Sequence, residues 1–225
     1  MGNRDYTVIK NEKPTIPFSD SRSVLKTMDD GFWKWWIFHF LLLFYERFDR
    51  VELKLKLEKT SRVEKTIADF INNYLKKNED FDWNCGFKIN REPLTEGNIE
   101  GYYDIKIEHS CWNKMFCFEC KNIDDKPKSR LISEYVNNGV YRYFNGKYAQ
   151  NQDFGGMIGF VLQGDTQPIK DKIIKKLENK FDISPEGDLK NIVYNSIEDN
   201  EFTFNSTHQR KGECFTLHHL LFDIR

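Results

Sequence analysis

Residues 101–109 read GYYDIKIEH and residues 115–122 read MFCFECKN, and the alternation within these two stretches decides the fold. Successive side chains of an extended strand point to opposite faces. Tyr103, Ile105 and Ile107 therefore share one face of the first stretch, and Tyr102, Asp104 and Lys106 share the other. In the second stretch Phe116 and Phe118 stand opposite Cys117, Glu119 and Lys121. A hairpin closed by Ser110 to Asn113 sets His109 against Lys114, Ile107 against Phe116 and Ile105 against Phe118, so that apolar meets apolar across the strands. The same register puts Asp104 directly opposite Glu119 on the non-core face, with Cβ atoms about 5 Å apart.

Two carboxylates held that close repel unless a proton or a cation separates them. Hard divalent cations take such oxygen donors, and Mg²⁺, with Mn²⁺ as its substitute, is typically held by one or two carboxylates plus water and substrate phosphate. Lys121 lies on the same face, two residues beyond Glu119, placed to hold an attacking water or to offset charge developing on a phosphate. Metal, water and lysine together make phosphodiester hydrolysis feasible. The competing reading makes Asp104, Glu119 and Lys121 solvated charges on the open face of an antiparallel pair.

Working outward, Val63, Ile67, Phe70, Ile71, Tyr74 and Leu75 recur at helical spacing from Thr60 to about Lys77. Glu64 falls with Ile67, Ala68, Ile71 and Leu75 at the edge of the buried face, whereas Asp69 falls with Arg62, Lys65, Asn72 and Lys76 on the polar one. A strand is expected near Phe87 to Asn90, followed by the turn-rich Pro93 to Asn98. After the hairpin, Ser129 to Phe144 reads as a helix with Ile132, Tyr135, Val136, Val140 and Tyr143 inward. Gly155 to Leu162 is a short apolar strand. Pro168 favours a helix start, with Ile169, Ile173, Ile174, Leu177 and Phe181 on its apolar face. Two closing strands are expected near Glu201 to Asn205 and Cys214 to Leu220. This order predicts an α/β fold whose mixed central sheet is flanked by helices, covered on one side and bordered by a cleft on the other.

Residues 1–20 read as a loose arm, with Ser21 or Ser23 capping a long helix that runs through Phe48. The aromatic-rich segment Phe32 to Phe48 has only eleven consecutive residues without Asp, Glu, Lys or Arg, from Trp35 to Tyr45. A membrane-spanning helix needs about 20 apolar residues. The segment is therefore read as a helix buried in protein, its cover coming from this chain, a second copy or a partner protein, with no membrane. Val51 to Leu57 alternates strictly; periodicity argues for a strand, with continued helix as the alternative. The chain accordingly divides into an N-terminal arm and helical segment, 1–59, and a second domain, 60–225.

The composition supports a folded protein: 39% of the 225 residues are hydrophobic and 15% aromatic, with 19 Phe and 10 Tyr feeding a core. A formal net charge of −1 neither announces nor excludes a nucleic-acid surface, because a basic patch beside an acidic site sums to nearly zero. Five cysteines, an odd number, and a polar, charged stretch from Met1 to Lys13 point to free thiols in a reducing cytoplasm. Cys117 and Cys120 form a C-x-x-C pair, but strand alternation turns their sulfurs apart, against a zinc site.

The D-x(14)-E-x-K arrangement, after a helix and before a helix plus a short apolar strand, resembles the PD-(D/E)XK superfamily of restriction-endonuclease-like nucleases over about Thr60 to Leu162. Tyr103 stands where the name of the family expects proline. The resemblance implies a Mg²⁺-dependent endonuclease in which Asp104 and Glu119 bind the metal, Cys120 lends it a carbonyl and Lys121 acts on the nucleophilic water. It further implies that the preceding helix adds an acid, for which Glu64 is favoured over Asp69. DNA is the implied partner, and restriction or phage defence the implied setting. Arg142 and Lys147, in the aromatic-rich VYRYFNGKY, are candidate phosphate contacts, with favourable C-terminal helix cations as the plainer reading. His208 and Arg210 could position a phosphate likewise; His218 and His219 decorate a strand without a catalytic role. The rival functions are a catalytically inactive nuclease-fold protein that binds nucleic acid or a partner protein, and an interaction protein that docks to a partner or membrane through Phe32 to Phe48, its acids incidental.

Overall fold

The computed structural model describes residues 25–77, 87–91, 102–181, 189–194 and 202–225. The expected arm over 1–20, the capping serines 21 and 23, Cys85 and the turn at 93–98 lie outside these residues. The described chain is a mixed α/β fold with helices on both faces of one sheet. Strands β1 (Phe87–Arg91), β2 (Ile105–His109) and β3 (Met115–Asp124) form an antiparallel meander. β3 then pairs in parallel with β4 (Phe154–Gln163), and β4 in parallel with β7 (Glu213–Asp223). Antiparallel pairing continues from β7 to β6 (Thr203–Arg210) and on to β5 (Leu189–Tyr194). The order across the seven strands is β1-β2-β3-β4-β7-β6-β5.

The hairpin pairs in the register that alternation dictates: Ile105 with Phe118, Lys106 with Cys117, Ile107 with Phe116 and Glu108 with Met115. The expected single covered face is corrected, because both faces of the central strands are packed. On one side lie α1 (Asp30–Arg47) and α3 (Val63–Lys77), whose Phe38, Phe44, Ile67 and Ile71 join Ile105, Phe116, Phe118 and Phe160 in one core. On the other lie the helical run α4 (131–144) and α5 (Thr166–Phe181), whose Tyr135, Tyr143, Ile169 and Leu177 join Cys117, Met157, Val161 and Leu221. The central parallel strands are accordingly apolar on both faces, as β4 shows by its nearly continuous burial. The C-x-x-C cysteines diverge as expected, Cys117 into the α4 side and Cys120 into the α1 side.

α1 begins at Asp30 because Asp29 caps it, its side chain accepting from the Phe32 N–H at 2.9 Å. Eight of its residues are buried, and the same chain supplies their cover. Phe38 packs edge-on against Phe116, and Phe44 meets Phe70, Tyr74 and Phe222. Each such burial is worth about 1.5–3 kcal/mol, which fixes α1 to the sheet. No helix among the described residues is long and apolar enough to cross a membrane.

The alternating segment Val51 to Leu57 is helical, not extended: α2 spans Arg50–Leu57. Asp49 caps it through the Glu52 N–H, Glu52 and Lys56 pair at 2.8 Å one turn apart, and only Leu53 is buried. Local capping and an i,i+4 pair prevail because the alternate apolar residues, Val51 and Leu55, find no sheet to bury them. α4 is not a uniform α-helix either. A π-helical turn over Tyr135–Val140 interrupts it, a feature frequent near functional sites. Gly139 lets this turn lie flat on the sheet, since a Cβ there would overlap Met157 Cε and come 3.5 Å from Lys121 Cγ. Beyond the turn, Tyr143 OH donates toward the carbonyls of Cys117 and Gly156, at 3.1 and 2.7 Å.

Candidate active site

β2 and β3 part company at Asp104. The Asp104 N–H still reaches the Phe118 carbonyl at 3.1 Å, but the paired ladder ends at Ile105 and Phe118 and the chain bends. Asp104 is therefore not a ladder partner of Glu119, as simple extension of the register had it. Beyond Phe118 one edge of β3 is open, and its main-chain donors need partners. Carboxylates supply them. Cys120 N–H donates to Asp104 Oδ2 at 2.6 Å, and Asn122 N–H donates to Glu64 Oε2 at 3.3 Å. The Cys120 carbonyl faces the same gap and accepts from Lys121 Nζ at 2.7 Å. The lysine head also lies 2.6 Å from Glu119 Oε1 and 3.1 Å from Glu64 Oε1. Four elements thus meet at one point: the bend before β2, the free edge of β3, the first turn of α3 and, from above, α4.

Glu119 does not lie on an open face. Its side chain is only 1% exposed, with α4 over it. Arg142, near the end of α4, donates from Nη1 to Glu119 Oε1 at 2.5 Å and to Tyr148 OH at 3.0 Å, and Tyr148 OH donates to the Tyr102 carbonyl at 2.6 Å. Arg142 was expected at a substrate phosphate; here its guanidinium is committed to a site carboxylate. The cation within an aromatic run was visible in sequence, but its partner was not, because α4 meets β3 only through the tertiary fold. Tyr148 closes the same aromatic run, and its role was hidden for the same reason.

Burial, followed by repulsion from Asp104, pushes the Glu119 carboxyl up to about 7, against the pull of Lys121 and Arg142. Glu64 is raised as well, by burial and by Asp104, with Lys121 opposing. Burial works to lower Lys121, yet Glu119, Glu64 and Asp104 outweigh it and hold the amine above its ordinary value. Lys121 is thus a firmly protonated ammonium, a donor and a fixed charge, not a base.

No known family model, curated protein or solved structure matches this chain. The chemistry of the site rests on its residues. Among the described residues, no three His, Cys, Asp or Glu side chains surround one point as metal ligands. The oxygens that a hard cation would use, Glu119 Oε1, Glu64 Oε1 and the Cys120 carbonyl, converge on the Lys121 ammonium. Asp104 commits one oxygen to the Cys120 N–H, and Glu119 Oε2 is enclosed without a hydrogen bond. An all-oxygen donor set with one orphaned carboxylate oxygen suits Mg²⁺. Asp104, Glu119, Glu64 and the main-chain carbonyl of Cys120 would hold it only once drawn together in place of the Lys121 ammonium they now surround, the Cys120 sulfur lying in the opposite core.

Of the two α3 carboxylates, Glu64 is the one whose bonds to Lys121 Nζ and to the Asn122 N–H place it in this cluster. Lys147 lies in the turn after α4, where its N–H bonds to Asn145 Oδ1. Arg210 is no phosphate ligand in this arrangement: it is buried, and its guanidinium donates to the carbonyls of Tyr143, Tyr148, Gln150 and Gln152, bracing the turn that carries Tyr148. His208 is enclosed too, in a buried chain that runs Tyr135 OH, His219, Ser206 and His208 with successive contacts of 2.8 Å.

Proposed function

We propose that this protein is a Mg²⁺-dependent nuclease of the PD-(D/E)XK type that hydrolyses phosphodiester bonds, with DNA as the favoured substrate. The observation that carries this reading is the gathering of Glu119, Glu64, the Cys120 carbonyl and the Lys121 ammonium where β2 leaves β3, with Asp104 on the adjoining N–H. Hard oxygen donors beside a fixed ammonium are the parts that phosphodiester hydrolysis calls for. When bound, the divalent ion would supply Lewis acidity and lower the pKa of water. Lys121 donates a hydrogen bond that orients the attacking water and balances negative charge as it grows on the phosphate. The carboxylates hold Lys121 in that charged state.

The test is cleavage of plasmid, linear duplex, single-stranded DNA and RNA, with and without Mg²⁺, by the wild type and by Lys121→Ala. Mg²⁺-dependent nicking by the wild type alone is expected. Absence of cleavage on all four substrates would remove the enzymatic reading.

A second reading has its own observation. Lys121 and Arg142 already offset much of the charge on Glu119 without any metal, as a nuclease fold that only binds nucleic acid or a partner protein would need. Such a protein takes up no Mn²⁺ at these carboxylates.

A further inference from the structure

Glu119 Oε1 carries two cations at once, Lys121 Nζ at 2.6 Å and Arg142 Nη1 at 2.5 Å, while Oε2 carries no hydrogen bond. The two cations are not equivalent. The Lys121 side chain is 14% exposed and is tied also to Glu64 and to the Cys120 carbonyl; that of Arg142 is 34% exposed and so more open to solvent. Apart from Glu119, the described partner of the guanidinium is Tyr148, through its hydroxyl and through a ring centred 5.7 Å from the arginine Cζ. A divalent ion taking the other oxygen, Oε2, with Arg142 still on Oε1 would share one carboxylate with a second cation, which like-charge repulsion disfavours. A guanidinium also matches phosphate oxygens at least as well as a carboxylate, through planar paired donors. Exchanging one charge-assisted bond for another costs little, so the arrival of a phosphate can decide where Arg142 rests.

We propose that Arg142 is a phosphate-responsive clamp: it holds Glu119 in the free protein, transfers to an incoming nucleic-acid phosphate, and so releases the carboxylate to the divalent cation. The inference rests on the metal-dependent nuclease reading and adds to it a link between substrate and metal binding. Tyr148 is the pivot, anchored through its hydroxyl to the Tyr102 carbonyl. Binding linkage is reciprocal, so the cation strengthens nucleic-acid binding by the factor by which nucleic acid strengthens cation binding, and that factor depends on Arg142.

The experiment measures the affinity of a fluorescein-labelled DNA duplex by anisotropy, with and without Ca²⁺, for wild type, Arg142→Gln and Arg142→Lys. Melting curves and Mn²⁺ calorimetry on the same samples report folding and the metal site. Ca²⁺ is expected to tighten wild-type binding about tenfold more than it tightens binding by Arg142→Gln. Arg142→Lys, which keeps the charge but loses the paired donors, should fall between. General screening of the duplex by Ca²⁺ weakens binding more where Arg142 contacts a phosphate, so it opposes the expected difference and cannot produce it. Equal Ca²⁺ effects in wild type and Arg142→Gln, with Mn²⁺ heat and cleavage present in the wild type, would overturn the clamp and leave the nuclease reading standing. Absence of Mn²⁺ heat and of duplex binding in the wild type would overturn both.

Discussion

The amide of Cys120 donates to the carboxylate of Asp104 at 2.6 Å, so the residue that leaves the β2–β3 ladder also stops the open edge of β3. Asp104 thereby serves the backbone with one oxygen, and under the proposed reading it is also a ligand of the cation. Asp104→Asn and Glu119→Gln should each weaken Mn²⁺ binding and abolish cleavage together. Lys121→Ala should abolish cleavage while Mn²⁺ still binds, tightened by loss of the ammonium that the same oxygens share. The Glu119 change removes a buried charge opposed by burial and by Asp104, but also deprives Lys121 and Arg142 of a partner. These effects have opposite signs, and stability should move by less than about 2 kcal/mol. Titration calorimetry with Mn²⁺, plasmid nicking and melting curves check the set. Equal loss of metal binding in all three variants would contradict the division of roles.

Glu64 should matter far more than Asp69, although both lie on α3. Glu64 accepts from Lys121 Nζ with one oxygen and from the Asn122 N–H with the other. Glu64→Gln removes a charge from the cluster and should lower the cleavage rate by at least about tenfold, whereas Asp69→Asn should cleave at nearly the wild-type rate. Each tenfold corresponds to about 1.4 kcal/mol of barrier. Single-turnover rates at saturating Mg²⁺ separate the two, and a slower Asp69 variant beside an unaffected Glu64 variant would reverse the assignment.

Much of the sheet was legible because its signals are local. Alternation from Tyr103 to Ile107 and from Phe116 to Lys121 sets faces and register by period alone, and the apolar run from Gly155 marks a strand, though not the helices that cover both of its faces. Four features were not legible. Val51 to Leu57 alternates like a strand but folds as α2, because an Asp49 cap and a Glu52–Lys56 pair act locally while pairing needs a neighbour. The strand Leu189–Tyr194 was missed outright. Glu119 looked exposed because a strand pattern says which side chains share a face, and not whether a helix will lie on that face. Arg142 could be recognised as a cation among aromatics, but only the packing of α4 shows that it reaches Glu119.

Gly156 and Gly139 both sit where a side chain would collide, yet their substitutions should differ. A Cβ on Gly156 would overlap the ring of Phe118 and lie 2.8 Å from Phe116 Cε1, and these rings are stacked on each other at 4.5 Å and fully buried. Neither can turn away, so Gly156→Ala should cost about 2–3 kcal/mol as overpacking. A Cβ on Gly139 meets the terminal methyl of Met157, which can swing, and alanine favours a helix over glycine by up to about 1 kcal/mol. Gly139→Ala should therefore stay within about 1 kcal/mol of wild type. Urea denaturation at neutral pH gives both values, and equal losses would contradict the distinction between rigid and flexible neighbours.

The buried histidines make the fold sensitive to acid. His218 is enclosed beneath α1, its ring 5.2 Å from that of Phe38 and 5.6 Å from that of Phe116, with no hydrogen bond on either nitrogen. Burial, aided by the charge of Lys34, pushes its pKa down to about 3, and burial does the same to His208. His219 is lowered as well, by burial and then by its two histidine neighbours. In the unfolded chain each imidazole titrates near about 6.5. The native state therefore keeps these rings neutral while the unfolded state takes up protons as the pH falls from about 6.5 toward about 3. Stability is complete above the upper value and declines below it, by up to about 1.4 kcal/mol per pH unit for each histidine. His218→Leu removes one such group and two unpaired buried nitrogens, so it should hold or raise stability at neutral pH and flatten the acid slope by about one proton. Urea midpoints of wild type and variant at about pH 7.5, 6 and 5 measure the difference in slope. Every other titrating group, Glu119 among them, is common to both proteins and cancels in the comparison. Parallel stability profiles for the two proteins would show that His218 is protonated, or reached by water, in the native state.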